Sequence, residues 1–234
     1  MSNLLGKAIQ DYYTNHNPQD IQTETDISEL DTLPIEYLFR YYEQMPKIEQ
    51  KAMQLAYGKV LDVGCGAGAH SLYLQEKGLA VTAIDISEEA ISVCQQRGVA
   101  DARCINILQM EGKFDTILLL MNGIGIGGKL QFIDILLTKL KELLSANGQI
   151  LLDSSDIIYM FDQNEDGSYD VPMLHDYYGE VEYTLHYKGK TEHTHWLYID
   201  YNTLQNAAVA NDLHIELLYE GENYDYLARL THRK

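Results

Sequence analysis

The sequence predicts an α/β protein built on a mostly parallel sheet, and three observations predict it. Short apolar runs alternate with segments of helical periodicity through the middle of the chain, the pattern of strand–helix–strand units with helices on both faces of a sheet. One run, Phe114-Asp115-Thr116-Ile117-Leu118-Leu119-Leu120, is almost uniformly apolar, as a strand covered on both faces must be. Between another run and its helix stands Gly64-Cys65-Gly66-Ala67-Gly68. Glycine at every second position belongs where a backbone takes unusual dihedrals or lets a ligand approach closely.

The elements follow in order. Residues 1–57 are expected to form a helical N-terminal cap: Asp31-Thr32-Leu33-Pro34-Ile35-Glu36 reads as a helix start, with proline early and an acid in the first turn. Met45-Pro46 interrupts, and a second helix spans about Lys47 to Tyr57. From Val60 the main domain, 58–234, begins. Helices over Ala69 to Lys77 and Glu88 to Arg97 each end at a glycine, Gly78 and Gly98, and strands fall at Leu79 to Asp85 and Ala102 to Asn106. Leu130 to Leu144 has helical periodicity and is expected to stop at Asn147-Gly148, before a strand at Gln149 to Asp153. An excursion over about 157–200 holds a polar loop, Met160 to Tyr178, and a hairpin, Val181 to Tyr187 and Thr191 to Ile199 about Lys188-Gly189-Lys190. A helix, Tyr201 to Asn211, and two strands, His214 to Tyr219 and Tyr226 to Thr231, complete the chain.

Composition narrows the function. With 234 residues the chain suits one sizeable α/β domain with embellishments. No apolar run is long enough to span a bilayer, and the first residues lack a signal-peptide hydrophobic segment. Three cysteines, Cys65, Cys94 and Cys104, without metal-ligand spacing, are expected to be reduced thiols in a cytoplasmic protein. The formal net charge is −18, a surface that repels phosphate backbones and so disfavours nucleic acid as a partner. A small-molecule substrate fits better.

The glycine run supports two cofactor readings. A dinucleotide fingerprint, G-x-G-x-x-G/A, is met by Gly64, Gly66 and Ala69; D-x-G-x-G-x-G is met by Asp62, Gly64, Gly66 and Gly68. Asp62 separates them. A carboxylate so close to a pyrophosphate repels it, whereas a sulfonium and an ammonium tolerate it. Roughly twenty residues beyond the first glycine, Val81 to Ile86 supplies a second strand closed by Asp85, where an acid can grip ribose hydroxyls.

On Val60-Leu61-Asp62-Val63-Gly64-Cys65-Gly66-Ala67-Gly68 and Ala83-Ile84-Asp85-Ile86-Ser87, the chain resembles the class I S-adenosylmethionine-dependent methyltransferases. The resemblance implies a Rossmann-like, seven-stranded, mostly parallel sheet whose last strand is antiparallel, with the hairpin inserted after the fifth strand. It also implies S-adenosyl-L-methionine as methyl donor and S-adenosyl-L-homocysteine as product by in-line displacement, and the acidic charge balance points to a small-molecule acceptor. The alternatives are a nicotinamide-dependent oxidoreductase and a non-catalytic S-adenosylmethionine-binding module.

In an open parallel sheet, ligands bind beyond the carboxyl ends of the strands. The donor is thus expected against Asp62, Gly64, Gly66 and Gly68, with Asp85 at the ribose and Ile86 at the adenine face. After the third strand come Asn106 and Ile107. The family usually has an aspartate where Asn106 stands, and the amide carbonyl can still accept a hydrogen bond. After the fourth come Met121 and Asn122, then Gly123-Ile124-Gly125-Ile126-Gly127-Gly128, read as either a functional or a flexible loop. Arg40 or Tyr42, from the aromatic stretch beginning at Tyr37, could meet the donor carboxylate.

On the acceptor side stand Asp153, Ser154, Ser155, Asp156, Glu222, Asn223 and Tyr224. No catalytic base is assigned; Asp153, Asp156 and His175 are conceivable, and displacement at an activated methyl needs alignment more than acid–base help. Asp162 to Asp170 matches the first nine positions of a calcium loop, but the twelfth is Met173 and Pro172 spoils the exit helix. His193 and His195 fall on one face of a strand with His186 on the partner strand, and zinc usually wants three or four ligands with further support. No metal is therefore assigned. An inserted hairpin could also pair two copies across a two-fold axis.

Overall fold

A computed structural model of the chain describes residues 3–172 and 176–233. Helix α1 (Leu4–Tyr13) is capped by Asn3, whose side chain accepts the Gly6 N–H at 2.6 Å. Strands β1 (Ile21–Thr25) and β2 (Ser28–Leu33) follow, then 3-10 turns at Ile35–Phe39 and Tyr42–Gln44, and helix α2 (Lys47–Leu55). The N-terminal cap is therefore only partly helical. Asp31, Thr32 and Leu33 lie in β2, and the helical start follows at Pro34 as the short 3-10 segment, with Glu36 in its first turn. Pro34 keeps Leu33 extended, and the buried Ile21 and Thr23 pin β1 as the inner strand of the ribbon.

The main domain alternates β3 (Lys59–Val63), α3 (Ala69–Glu76), β4 (Ala80–Asp85), α4 (Glu88–Arg97), β5 (Ala102–Cys104), β6 (Phe114–Leu119), α5 (Ile133–Leu143) and β7 (Leu144–Ser155). After the excursion, with β8 (Glu180–Tyr187) and β9 (Lys190–Leu197), come α6 (Tyr201–Ala210), β10 (Leu213–Glu220) and β11 (Asp225–His232). Seven strands form one sheet in the order β10-β11-β7-β6-β3-β4-β5. Only β11 runs against its neighbours, pairing antiparallel with β10 and β7. This is the Rossmann-like, seven-stranded arrangement. The strand order reverses between β3 and β6, which puts a crevice at their carboxyl ends.

Helix α5 ends with its periodicity, at Leu143, and not at the expected Asn147-Gly148 stop. The Lys113 ammonium donates to the Glu142 and Leu144 carbonyls at its end, and the chain becomes extended at Leu144. Asn147-Gly148 instead sits inside β7, where the register against β6 slips between Phe114↔Leu144 and Thr116↔Gln149.

Period-two alternation splits the core across the sheet. Leu61, Val63, Ile117, Leu119, Ile150 and Leu152 pack toward α5 and α6, whereas Val60, Leu118 and Leu151 pack toward α2 and α3. The inserted hairpin joins the N-terminal ribbon in a second, antiparallel sheet of order β2-β1-β8-β9. Its Ile21, Leu185 and Tyr187 close on Leu4, Ala8 and Ile9 of α1, which rests in turn on Ala90 and Val93 of α4. Each fully buried aliphatic side chain here is worth about 1.5–3 kcal/mol of transfer free energy. Asp11 fastens the two parts further, accepting from Lys188 Nζ at 2.8 Å and Tyr187 OH at 3.0 Å. Among the described residues, no helix is long and apolar enough to cross a membrane.

Candidate functional site

The glycine loop leaves β3 at Val63 and enters α3 at Ala69. Gly64 and Cys65 donate their N–H groups to the Ile84 carbonyl at 2.9 and 3.0 Å, which bends the loop over the end of β4. Gly64 and Gly66 have φ of +71° and +53°. A Cβ built on Gly64 meets nothing within 4 Å, and one on Gly66 meets only Ile9 Cδ1 at 4.0 Å. These two glycines face open space. Gly68 differs: a Cβ there would lie 3.0 Å from Cys94 Sγ and 3.1 Å from Val99 Cγ2. Its missing side chain lets the loop close on α4.

Two carboxylates brace this loop. Asp85 accepts the Gly66 N–H at 3.0 Å and the Ser87 N–H at 2.9 Å. Burial pushes the Asp85 carboxyl above the usual carboxylate range, against the opposing pull of those two N–H donors. Each of its oxygens keeps a further lone pair for a hydroxyl. Asp62 is buried and accepts from Ser71 Oγ at 2.5 Å, tying β3 to α3 beneath the loop.

Large apolar side chains are exposed after three strands that lie on either side of β3: Ile86 after β4 at 68 %, Leu108 after β5 at 49 %, and Met121 after β6 at 37 %. All three follow carboxyl ends of parallel strands, the rim at which ligands of such sheets bind. Ile107, expected here, is instead buried in the core, and the exposed side chain is its neighbour Leu108. The one-turn 3-10 segment Ile107–Gln109 turns consecutive residues to different sides. Asn106 opens that segment, its amide oxygen accepting the Leu108 N–H at 2.9 Å.

The corner after β6 is strained. Met121 and Asn122 both have left-handed backbones, with φ of +61° and +55°. Asp153, buried at the end of β7, accepts the Met121 N–H at 3.1 Å and the Asn122 N–H at 2.8 Å, one on each oxygen. Burial and then the charge of Glu49 push the Asp153 carboxyl up to about 7. The glycine stretch beyond is ordered: Gly123–Gly127 forms a 3-10 turn against the hairpin. A Cβ on Gly125 would fall 2.1 Å from Trp196 Nε1.

A buried ionic cluster joins the cap to the start of α3, and of its members the sequence reading names only Arg40. Glu49 of α2 holds Arg40, from the cap, and accepts or shares a proton with His70 Nε2 of α3 at 2.6 Å. Arg40 donates to the Tyr37 carbonyl at 2.6 Å and lies over the Tyr37 ring, 4.1 Å from its centroid. Its Nε is buried and has no hydrogen-bond partner. The spacing of Arg40, Glu49 and His70 carries no local signal, since each comes from a different element. Tyr42 is engaged elsewhere, stacked on Tyr73 at 4.3 Å and bonded to Gln54.

Across the crevice, Asp156 accepts from Tyr178 OH at 2.8 Å, and Tyr159 stacks on Tyr224 at 5.1 Å. Burial raises the Tyr198 hydroxyl, with Tyr183 and Tyr159 close enough to add to the effect. His175 and Met173 lie outside the described residues. In the calcium-like stretch Asp166 is exposed and accepts from the Ser168 N–H and Oγ. His186 and His193 bond Thr191 and Thr184 on the opposite strands. Among the described residues no group of three or more His, Cys, Asp or Glu could hold a metal ion.

An open glycine turn at a switch point, an acid closing the next strand and apolar strand ends define a nucleoside-binding α/β protein. Residues 60–148 match the family model of a methyltransferase domain. Over 99 % of this chain and 95 % of the other, the fold superposes on the crystal structure of an S-adenosylmethionine-dependent methyltransferase from Bacteroides fragilis in complex with S-adenosyl-L-homocysteine, with 43 % identity and a TM-score of 0.91. The chain belongs to the S-adenosylmethionine-dependent methyltransferase family. A second methyltransferase structure, from Clostridium acetobutylicum, has 15 % identity and a TM-score of 0.57 over 80 % of this chain and 89 % of that one, a likeness of fold. YqeM of Bacillus subtilis (strain 168) is 40 % identical over 70 residues, which is 26 % of this chain and 28 % of that protein. The chain thus matches well under two thirds of that curated relative's length.

Proposed function

We propose that the protein binds S-adenosyl-L-methionine over the glycine loop and transfers its methyl group to a small-molecule acceptor by in-line displacement. The carrying observation is that Gly64 and Gly66, in left-handed backbone, present bare surface to open space while Asp85 accepts the Gly66 N–H. A pyrophosphate is a poor guest there, because Asp62 and Asp85 bring two carboxylates to the loop. The donor supplies a methyl on a sulfonium, already activated for displacement. The chain's part is to bind, orient and exclude water.

In this reading the backbone at Gly64 and Gly66 carries the methionine half, and Asp85 takes the ribose hydroxyls. Ile86, Leu108 and Met121 flank the adenine, with the Asn106 amide beside them. The buried, unpartnered Arg40 Nε has the chemistry to meet the donor carboxylate. The second sheet and the tyrosines at 159, 178, 198 and 224 wall the acceptor side; they suit a small polar molecule, and the chain's net charge of −18 disfavours a nucleic acid.

Titration calorimetry with S-adenosyl-L-homocysteine tests the reading. The wild type should saturate, and Gly66→Val should bind at least tenfold more weakly, because valine cannot hold the left-handed turn without strain. Equal binding by that variant, or saturation by NADH instead, would contradict the assignment.

A further inference from the structure

The corner after β6 is a backbone arrangement that its own residues do not favour. Two consecutive non-glycine residues, Met121 and Asn122, stand in the left-handed region. Asparagine tolerates that conformation; methionine does so poorly. Their two N–H groups point at the two oxygens of one buried carboxylate, Asp153, at 3.1 and 2.8 Å. The same corner carries the hairpin. Asn122 Nδ2 donates to the Leu197 carbonyl at 3.2 Å, and its Oδ1 accepts from Ser154 Oγ at 2.8 Å. Ser154 Oγ in turn accepts the Ile199 N–H at 3.0 Å. The donor shelf and the end of β9 therefore meet at one strained joint.

Resting on the donor reading above, we propose that Asp153 is a positioning residue: its carboxylate clamps Met121-Asn122 in the left-handed turn, which sets the exposed Met121 side chain at the donor and anchors the hairpin beside it. A carboxylate buried next to Glu49 is a costly group to keep. Clamping a strained corner accounts for its place there, since an ionised acceptor bonds N–H groups more strongly than a neutral one. The side chain has no need to touch substrate in this role.

The experiment is a mutant cycle read by S-adenosyl-L-homocysteine calorimetry at pH 8. Asp153→Asn offers one acceptor where two are needed, so its dissociation constant should rise about tenfold. Glycine takes the left-handed turn unaided. In a Met121→Gly background, Asp153→Asn should therefore cost less than threefold. A cost below threefold in the wild-type background, or an undiminished cost beside Gly at 121, overturns the clamp; a residue acting by charge on the donor would give the latter. Failure of the wild type to bind overturns the donor reading instead. Should Asp153→Asn not fold, amide exchange in the wild type decides. The Met121 and Asn122 N–H groups should be strongly protected, and exchange at the rate of open loops overturns the proposal.

Discussion

Replacing Glu49 by alanine tests how the cap is held over the glycine loop. Glu49 and Arg40 side chains are each 3 % exposed and His70 is 9 % exposed. A guanidinium cannot shed its charge when its partner is lost. Glu49→Ala therefore leaves the Arg40 charge with the Tyr37 carbonyl and ring for company and with Nε still unpartnered. Breaking a buried pair from one side costs about 3–5 kcal/mol, a large share of a typical domain's 5–15 kcal/mol. Urea denaturation followed by circular dichroism should show that loss at pH 7 as a lowered midpoint with an unchanged slope. Arg40→Met in the same background should recover most of it, because the uncompensated charge is gone. Burial alone would raise the Glu49 carboxyl, but His70 and Arg40 win and hold it below the usual range. Its contribution is thus present above the ordinary glutamate value and lost as pH falls through the depressed one, so the gap between variant and wild type should close in acid. A loss under about 1 kcal/mol, or no recovery by Arg40→Met, would refute the assignment of a cap-holding charge cluster.

Three further outcomes follow from the same geometry. Asp153 rises from 3.8 to about 7 on folding, so its ionisation opposes the fold: the favourable contribution is whole below pH 4 and is lost as pH climbs to 7. Between pH 5 and pH 7 wild-type stability should fall by about 2 kcal/mol relative to Asp153→Asn in parallel urea titrations; parallel curves would remove the argument. Gly125→Ala pushes a Cβ to 2.1 Å from Trp196 Nε1, an overpacking worth about 1–3 kcal/mol. Since Trp196 is the single tryptophan, its emission should shift to the red as the hairpin lifts. Asp11 is drawn down to about 2: burial opposes this, but its hydrogen bonds from Lys188, Lys7 and Tyr187 prevail. Asp11→Asn should loosen α1 from the hairpin at neutral pH, seen as faster amide exchange in β8, and make little difference near pH 2.

What the sequence made legible was whatever depends on short-range rules. The apolar runs, the helix-ending glycines and the alternation of elements locate the sheet, and β11 is the antiparallel strand the resemblance implied. The N-terminal ribbon was not legible. Ser28-Glu29-Leu30-Asp31-Thr32-Leu33 is a mostly exposed edge strand, and it is a strand because β1 lies between it and β8, a partner some 150 residues away. At the site, Asp85 and the glycines announce themselves by spacing. Glu49 and His70 do not, and Arg40 is named without its partners, since only the packing of three separate elements brings them together. Ile107 and Leu108 could not be told apart either, because a 3-10 turn sends adjacent side chains to opposite environments.

The two strand-end acids repay comparison, since period-two alternation assigns them a side. Asp62 follows Val60 by two residues, and Asp153 follows Leu151 by two; Val60 and Leu151 both pack in the core shared with α2 and α3. Both carboxylates therefore leave the sheet on the face where Glu49 and His70 lie. A buried strand gains nothing in stability from ending in an acid. Here each acid ends where a turn needs a hydrogen-bond acceptor: Asp62 receives the Ser71 hydroxyl at the start of α3, and Asp153 receives the two N–H groups of the left-handed corner after β6. Local rules for a core strand are broken at the two loops that flank the crevice between β3 and β6, and broken by the same residue type on the same face. Burying negative charge beneath that crevice lowers the cost of seating a cation there, which an S-adenosylmethionine sulfonium would supply and a nucleotide phosphate would not.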